Sequence, residues 1–405
     1  MGEKVRNRWV ILIAGIICNL CIGAVYAWSV FQKPLIQLFQ WTSSQASLTF
    51  TITLCMMPIA MTFAGKIEQQ KGPKVVIGVG GLLFGVGILL SGFTKSLAYL
   101  YVVHGVIGGL GVGTVYGIAV SNSVKWFPDK KGLASGLIAA GLGMGAVVFA
   151  PIANTLISTF GVLRAFNILG IVYLIAIISS AFVIARPPAG YQPAGWTPPE
   201  TSAAGTGPSA SDKNWKEMMA NPMFYVLWVM YALGATSGLM IIGHASGIAQ
   251  ESVGLSATTA ALAVSILALA NTSGRLFWGA VSDKFGRYSA LFCIYTLSAV
   301  MMYVLSTTRA FAPFLLVICC IGLCFGGLLG IFPTVTADLF GLKNLGQNYG
   351  IMFFAFAAAA FIGPRLAATV KETSGDYSLA FIVTAAMGAA GLWVASRRLG
   401  RLLQP

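Results

Sequence analysis

The chain has 405 residues, 57% of them hydrophobic and only 9% charged, with a formal net charge of +14. Ordinary soluble domains carry about 25% charged residues, so this composition excludes a soluble globular protein and specifies an integral membrane protein. The positive charge does not point to nucleic acid, because it is gathered at one side of the predicted membrane spans.

A bilayer is crossed by about 20 consecutive apolar residues. Twelve such runs are predicted, at 9–31, 45–66, 74–94, 97–125, 132–159, 163–185, 222–249, 255–281, 288–307, 311–338, 346–368 and 377–396. None has the alternating ten-residue pattern of a membrane β-barrel. The first run follows basic residues, but at about 23 residues it is too long for a signal-peptide core and reads as a retained span. With the N-terminus cytoplasmic, most Lys and Arg fall on that side, among them Lys4, Arg6, Arg8, Lys66, Lys71, Lys74, Lys125, Lys130, Lys131, Lys284, Arg287, Arg397 and Arg398. Lys33, Lys95, Arg164, Arg309, Arg365 and Lys371 fall outside. This asymmetry predicts cytoplasmic termini; the expected location, a bacterial inner (plasma) membrane, goes with the function read below. The seven cysteines lie in spans and imply no disulfide framework; the Cys18–Cys21 spacing reads as incidental.

The helices rich in small residues come next in the chain. GGLGVG at 108–113 and GLASGLIAAGLGMG at 132–145 let helix backbones approach closely in lipid, where apolar burial gives little drive. His104, beside Gly105, reads as packing. Residues 187–221 are rich in Pro, Gly and Ser and read as a cytoplasmic linker. They divide the chain into an N-terminal six-helix bundle, 1–186, and a C-terminal one, 222–405. The halves match at an offset of 213 or 214: Gly65 and Gly72 with Gly279 and Gly286, Gly113 and Gly117 with Gly326 and Gly330, Pro151 with Pro364. Parallel six-span repeats are the plan of one large transporter class, with substrate held near the midplane.

The eighth run carries the most informative residue, Arg275. A guanidinium at a helix centre costs roughly 2.5–3.5 kcal/mol to insert, so it faces a protein interior or a water-filled cavity and has a partner. The eleven acids (Glu3, Glu68, Asp129, Glu200, Asp212, Glu217, Glu251, Asp283, Asp338, Glu372 and Asp376) all fall in tails, loops or helix ends. The expected partner is therefore a visiting carboxylate, which the planar fork of arginine binds bidentately. Asn271, at i−4, shares its face and would orient the guanidinium or bond a substrate hydroxyl.

GAVSDKFGRY at 279–288 resembles the loop motif of the major facilitator superfamily. That resemblance implies a gating role for Asp283, Lys284 and Arg287. The first-half copy, GKIEQQKGPK, has Gln69 in place of the acid, with Glu68 adjacent. A narrower resemblance rests on YAWSVF (26–31), NSVKWFPDKKGLASGLIAAG (122–141), NPMFYVLW (221–228), GRLFWGAVSDKFGR (274–287) and IFPTVTADLFG (331–341). These are similar to the oxalate/formate antiporter family and the related monocarboxylate transporters. The resemblance implies an all-α fold of twelve transmembrane helices in two pseudo-symmetric bundles, working by alternating access. It implies that Arg275 binds the substrate carboxylate. In oxalate-type exchangers a helix 11 lysine adds a second cation; here Phe356 aligns with it. One fixed cation matches one carboxylate, so the departure favours a monocarboxylate of lactate or pyruvate type.

At 1.5 Å per residue, Arg275 lies about 12 Å from the cytoplasmic end and Tyr116 about 16 Å. Leu142 and Phe356 reach similar depth, near half the hydrocarbon thickness of about 15 Å. Tyr116 offers a hydroxyl; Leu142, Phe356, Phe325 and Leu329 match lining positions of the oxalate exchangers, a resemblance that implies an apolar wall around a short aliphatic tail, and Tyr26 is a further lining candidate. With no acid at membrane depth, a proton has two routes. His244 would carry it or line a gate, or the proton would travel with the substrate, the empty site's positive charge resisting reorientation.

The expected function is proton-coupled symport of a small monocarboxylate. Two alternatives stand: a carboxylate exchanger of oxalate/formate type, and a membrane sensor that binds its ligand without transporting it. No enzyme motif, metal site or cofactor is expected, and the partners are a small carboxylate, H+ and the lipid bilayer, with no nucleic acid and no obligatory protein partner.

Overall fold

A computed structural model describes residues 7–188, 190–193 and 212–394. The expected linker stretch 194–211 and the basic residues Lys4, Arg6, Arg397 and Arg398 lie outside the described residues. The described secondary structure is helical throughout. Helix α1 (Arg8–Ile22), a 3-10 segment (Gly23–Ala27) and α2 (Trp28–Phe39) form the first span. Then come α3 (Ser43–Ser91), α4 (Leu97–Leu100), a π segment (Tyr101–Gly108), α5 (Gly109–Trp126), α6 (Lys131–Phe160) and α7 (Val162–Val183). A short helix, α8 (Trp215–Ala220), lies within the stretch 187–221 expected as linker, and after it follow α9 (Pro222–Val253), α10 (Ala257–Phe285), α11 (Arg287–Thr307), α12 (Phe311–Phe340), α13 (Leu345–Met352), α14 (Phe354–Ser374) and α15 (Ser378–Val394).

Among the described residues, nine helical stretches are long and apolar enough to cross a bilayer. One of them, Gln45–Ser91, contains two of the expected spans, because α3 turns at Gly72. The other two expected spans are α10, whose apolar run is interrupted by Asn271, Thr272, Ser273 and Arg275, and the shorter α15. The twelve transmembrane helices of the sequence are accounted for in this way. The outward-facing residues are large and apolar, such as Phe63, Ile175, Phe182, Leu316 and Trp393, as a bilayer requires.

The internal repeat is written into the backbone. Gly72 (φ 79, ψ 163) and Gly286 (φ 86, ψ 154) make the same sharp turn between paired helices, a conformation closed to residues with a Cβ. Asn7 caps α1 through Trp9 N, and Asn221 caps α9 through Met223 N. Thr42 caps α3 through Gln45 N, and Ser256 caps α10 through Thr259 N. Every one of these pairs is separated by 214 residues. Such caps satisfy the orphan N–H groups that a helix end exposes, so the two halves begin their helices by the same device.

Two compact units are formed. The N-terminal unit is Met1–Trp215 together with Thr336–Ile351; the C-terminal unit is Lys216–Val335 with Met352–Pro405. Within the N-terminal unit, the end of α12 and the start of α13 are bound by polar contacts. Lys131 Nζ meets Asp338 at 2.6 Å, and Gln69 donates to Asn344 Oδ1 at 2.9 Å. Asn344 and Asn348 both donate to the carbonyl of Lys213, at 2.9 and 3.0 Å.

Candidate substrate site

In the C-terminal unit, α10 and α12 touch backbone to backbone along a row of glycines. A Cβ on Gly326 would collide with the Asn271 carbonyl, and one on Gly330 would sit 2.6 Å from the Arg275 carbonyl oxygen. Gly274 makes the reciprocal approach to Leu323, and Gly322 extends the row toward Leu267. Close packing of this kind fixes the main chain that bears Arg275. The side chain is buried, with 3% of its surface exposed, and its Nε donates to Asn271 Oδ1 at 3.3 Å. The expected i−4 pairing of these two residues is therefore present.

The same station exists in the N-terminal unit with different chemistry. There α3 and α5 make the matching contact: a Cβ on Gly113 would collide with Met57, and one on Gly117 would lie 2.9 Å from Met61 Cγ. Met57 and Met61 stand 214 residues before Asn271 and Arg275. Met61 is fully buried. The scaffold thus accepts an apolar side chain at this position, and the guanidinium of Arg275 is not needed for packing.

Two of the four residues expected to wall the tail, Phe325 and Phe356, belong to an aromatic cluster. Phe356 stacks on Phe353 (ring centroids 4.8 Å, 17°) and on Phe325 (6.2 Å, 19°). Tyr231 of α9 stacks on Phe332 at 4.1 Å and reaches Phe353 and Phe356 at 6.3 and 6.5 Å. Leu329 is buried one residue before Gly330. Tyr231, Phe332 and Phe353 escaped the sequence reading. Tyr231 lies ten residues past the Asn221 cap, about 15 Å deep at 1.5 Å per residue, so the depth count applied to the seventh span would have found it.

The remaining candidates are distributed as follows. His244 Nε2 bonds the Pro364 carbonyl oxygen at 2.9 Å, and its ring lies 5.8 Å from that of Tyr377. Nearby, Lys371 pairs with Glu251 at 2.5 Å and lies over the Tyr377 ring. At the opposite end of α10, Arg287 donates to Asp283 and to Ser282 Oγ, both at 2.6 Å, while Lys284 is exposed and lies over the Phe285 ring. In the first copy of this loop the acid is Glu68, almost fully buried between Lys125 (3.0 Å) and Arg186 (3.3 Å). In the N-terminal unit, Tyr116 is fully buried on α5. Leu142 of α6 crosses the 3-10 segment where Gly23 meets its carbonyl, and Tyr26, half-buried, belongs to that segment. The ring of Tyr26 lies 6.4 Å from Phe50. His104 is packed between Trp28 and Phe166, with Nδ1 3.3 Å from Ser91 Oγ.

The family model of the Major Facilitator Superfamily matches residues 12–247 and 235–402. The chain belongs to the Major Facilitator Superfamily. Among relatives of this member, the MFS-type transporter YhjX of Escherichia coli is 33% identical over 87% of this chain and 85% of its own length. The oxalate:formate antiporter of Oxalobacter formigenes is 32% identical over 94% of this chain and 88% of its own. Monocarboxylate transporter 12 of Xenopus laevis is 26% identical over 93% of this chain and 85% of its own. Solved superfamily structures share the fold. A bacterial homologue of the iron transporter ferroportin aligns with a TM-score of 0.74 at 17% identity, covering 98% and 100% of the two chains. The proton:xylose symporter XylE aligns at 0.73 and 14% identity, covering 97% and 96%. The protein is a membrane transporter, not an enzyme.

Proposed function

We propose that this superfamily member carries a small monocarboxylate of lactate or pyruvate type across a bacterial inner membrane, with both termini cytoplasmic. The reading is carried by one observation: at a station where the repeat seats Met61, the other copy seats a buried guanidinium. The energetic cost of that charge at membrane depth buys nothing in packing, so its use is to bind an anion. Asn271, bonded to Nε, helps orient the guanidinium, whose planar fork suits a carboxylate. The stacked Phe325, Phe353 and Phe356, with Leu329 and Tyr231, offer apolar and aromatic surface to a short carbon chain. Phe356 adds no second cation, which suits a monoanion, since a dianion would bring an uncompensated charge into a site of low dielectric. Tyr116, Leu142 and Tyr26 are proposed as the N-terminal unit's contributions to substrate handling. The printed names of the antiporter and monocarboxylate relatives lend support to a carboxylate cargo.

The proposed coupling is symport with H+. The empty carrier keeps the charge of Arg275 and resists reorientation, and pairing with the anion removes that barrier; the proton is proposed to travel with the substrate. His244 is a second candidate for the proton or for a gate, and Asp283, Lys284 and Arg287 for the gating loop. Exchange is the rival coupling, favoured by the 32% identity to an antiporter. Uptake of radiolabelled lactate into proteoliposomes tests the reading. Wild-type protein should accumulate lactate when an inward proton gradient is imposed, and Arg275→Ala and Arg275→Lys, normally inserted, should not. Robust uptake by either variant rejects the site. Uptake that requires internal anion and ignores the pH gradient replaces symport by exchange, and binding without any flux identifies a sensor.

A further inference from the structure

Where α1 begins and α7 ends, the N-terminal unit has a surface groove of about 400 Å³ lined by Asn7, Val10, Ile11, Phe182 and Val183. Its volume is that of a ligand pocket, about 300–1,000 Å³. Four of its five lining residues are apolar, and Val10 and Phe182 are 49% and 61% exposed. The groove continues into exposed rows on the same two helices, Ile13 and Ile17 on α1 and Ile171, Val172 and Ile175 on α7. These are hydrocarbon-facing surfaces, so the groove opens toward acyl chains rather than toward a polar solute.

Among the described residues, Lys74 stands as a cation at its rim. Lys74 Nζ lies 4.5 Å from the centroid of the Phe182 ring, within the range where a ring face attracts an ammonium. Lys74 is exposed, as are Lys66 and Lys71, all three near the Gly72 turn within α3. Arg8 is committed elsewhere: it bonds both oxygens of Asp129 at 2.6 and 3.1 Å and stacks over Phe127 at 4.5 Å. A lysine ammonium is a compact point charge on a flexible stem, suited to meet a phosphate that varies in position.

We propose that this groove is a binding site for an anionic phospholipid. One acyl chain packs on Val10, Ile11 and Phe182, and the headgroup phosphate pairs with Lys74. Charge complementarity selects the occupant: juxtamembrane lysines attract the anionic lipids of a leaflet, and the apolar lining accepts a lipid tail. The proposal is independent of the substrate assignment, since none of these residues is a substrate-site candidate.

The test uses the full chain purified in neutral detergent, with dioleoyl phosphatidylglycerol or dioleoyl phosphatidylcholine added at equal mole ratio. Native mass spectrometry counts retained lipid, and thermal unfolding is followed in parallel. Wild-type protein should retain phosphatidylglycerol in preference to phosphatidylcholine and unfold at a higher temperature with it. Lys74→Glu should retain one phosphatidylglycerol fewer, Lys74→Arg the wild-type number, and Val10→Trp, which fills the groove, fewer of both lipids. Lys74→Gln serves if the charge reversal does not fold. An unchanged count in Lys74→Glu or Lys74→Gln, or a wild-type protein that does not distinguish the lipids, overturns the proposal. So does deletion of residues 1–6 if it opens new binding without headgroup preference, since the groove would then have housed the chain's own start.

Discussion

A methyl group on Gly330 would come within 2.6 Å of the Arg275 carbonyl oxygen. The contact is backbone against backbone, so no side chain can swing away to relieve it. Gly330→Ala should therefore push α12 from α10, at a cost of about 1–3 kcal/mol as for other overpacked contacts. It should also displace the guanidinium. A lowered unfolding temperature together with a raised lactate KM in proteoliposomes is the expected pair of results.

Arg275→Met would give α10 the residue that α3 carries at Met61. Removal of a buried charge that packing does not require should leave thermal stability within about 1 kcal/mol of wild type or raise it. Uptake should fall by about 30-fold or more, since losing one partner of a buried charge pair costs roughly 2–5 kcal/mol. Thermal unfolding in detergent and initial-rate transport, measured on one preparation, separate the two effects.

Phe356→Lys would set a second cation in place of a ring stacked on Phe353 and Phe325. Oxalate should become an effective competitor of lactate uptake, because two fixed charges can now meet two carboxylates. The variant should lose some stability, as the new ammonium takes the place of stacked aromatic surface. A competition panel comparing oxalate, formate and lactate reads the outcome.

Glu68→Gln would leave Lys125 and Arg186 facing each other's charge around a buried amide. The loss should be about 3 kcal/mol, the lower end for breaking a buried ion pair, because Arg186 is 47% exposed. Unfolding temperature is the readout. Reversion of the loss by the additional change Lys125→Gln would tie it to the unbalanced cation.

The spans were legible because hydropathy alone sets them. Gly72 and Gly286 carried the repeat, since a turn that only glycine can make leaves its mark at a fixed offset. The pairing of Arg275 with Asn271 followed from helical spacing. Other features had no local signal. Nothing in the composition of 23–27 or 101–108 distinguishes a 3-10 or π segment from ordinary helix; the difference lies in which carbonyl each N–H reaches. The attachment of Asn344 and Asn348 to Lys213, more than 130 residues away, is tertiary. Tyr231 was missed because the seventh span was read for its opening motif and not for depth.

The backbone turns and caps are shared at a constant interval of 214 residues. The repeat gives the molecule two matching seats, one holding the ionic side chain of Arg275 and the other the methionines Met57 and Met61. The Met57–Met61 seat is the apolar twin, an address where a second anion receptor could be engineered without redrawing a helix.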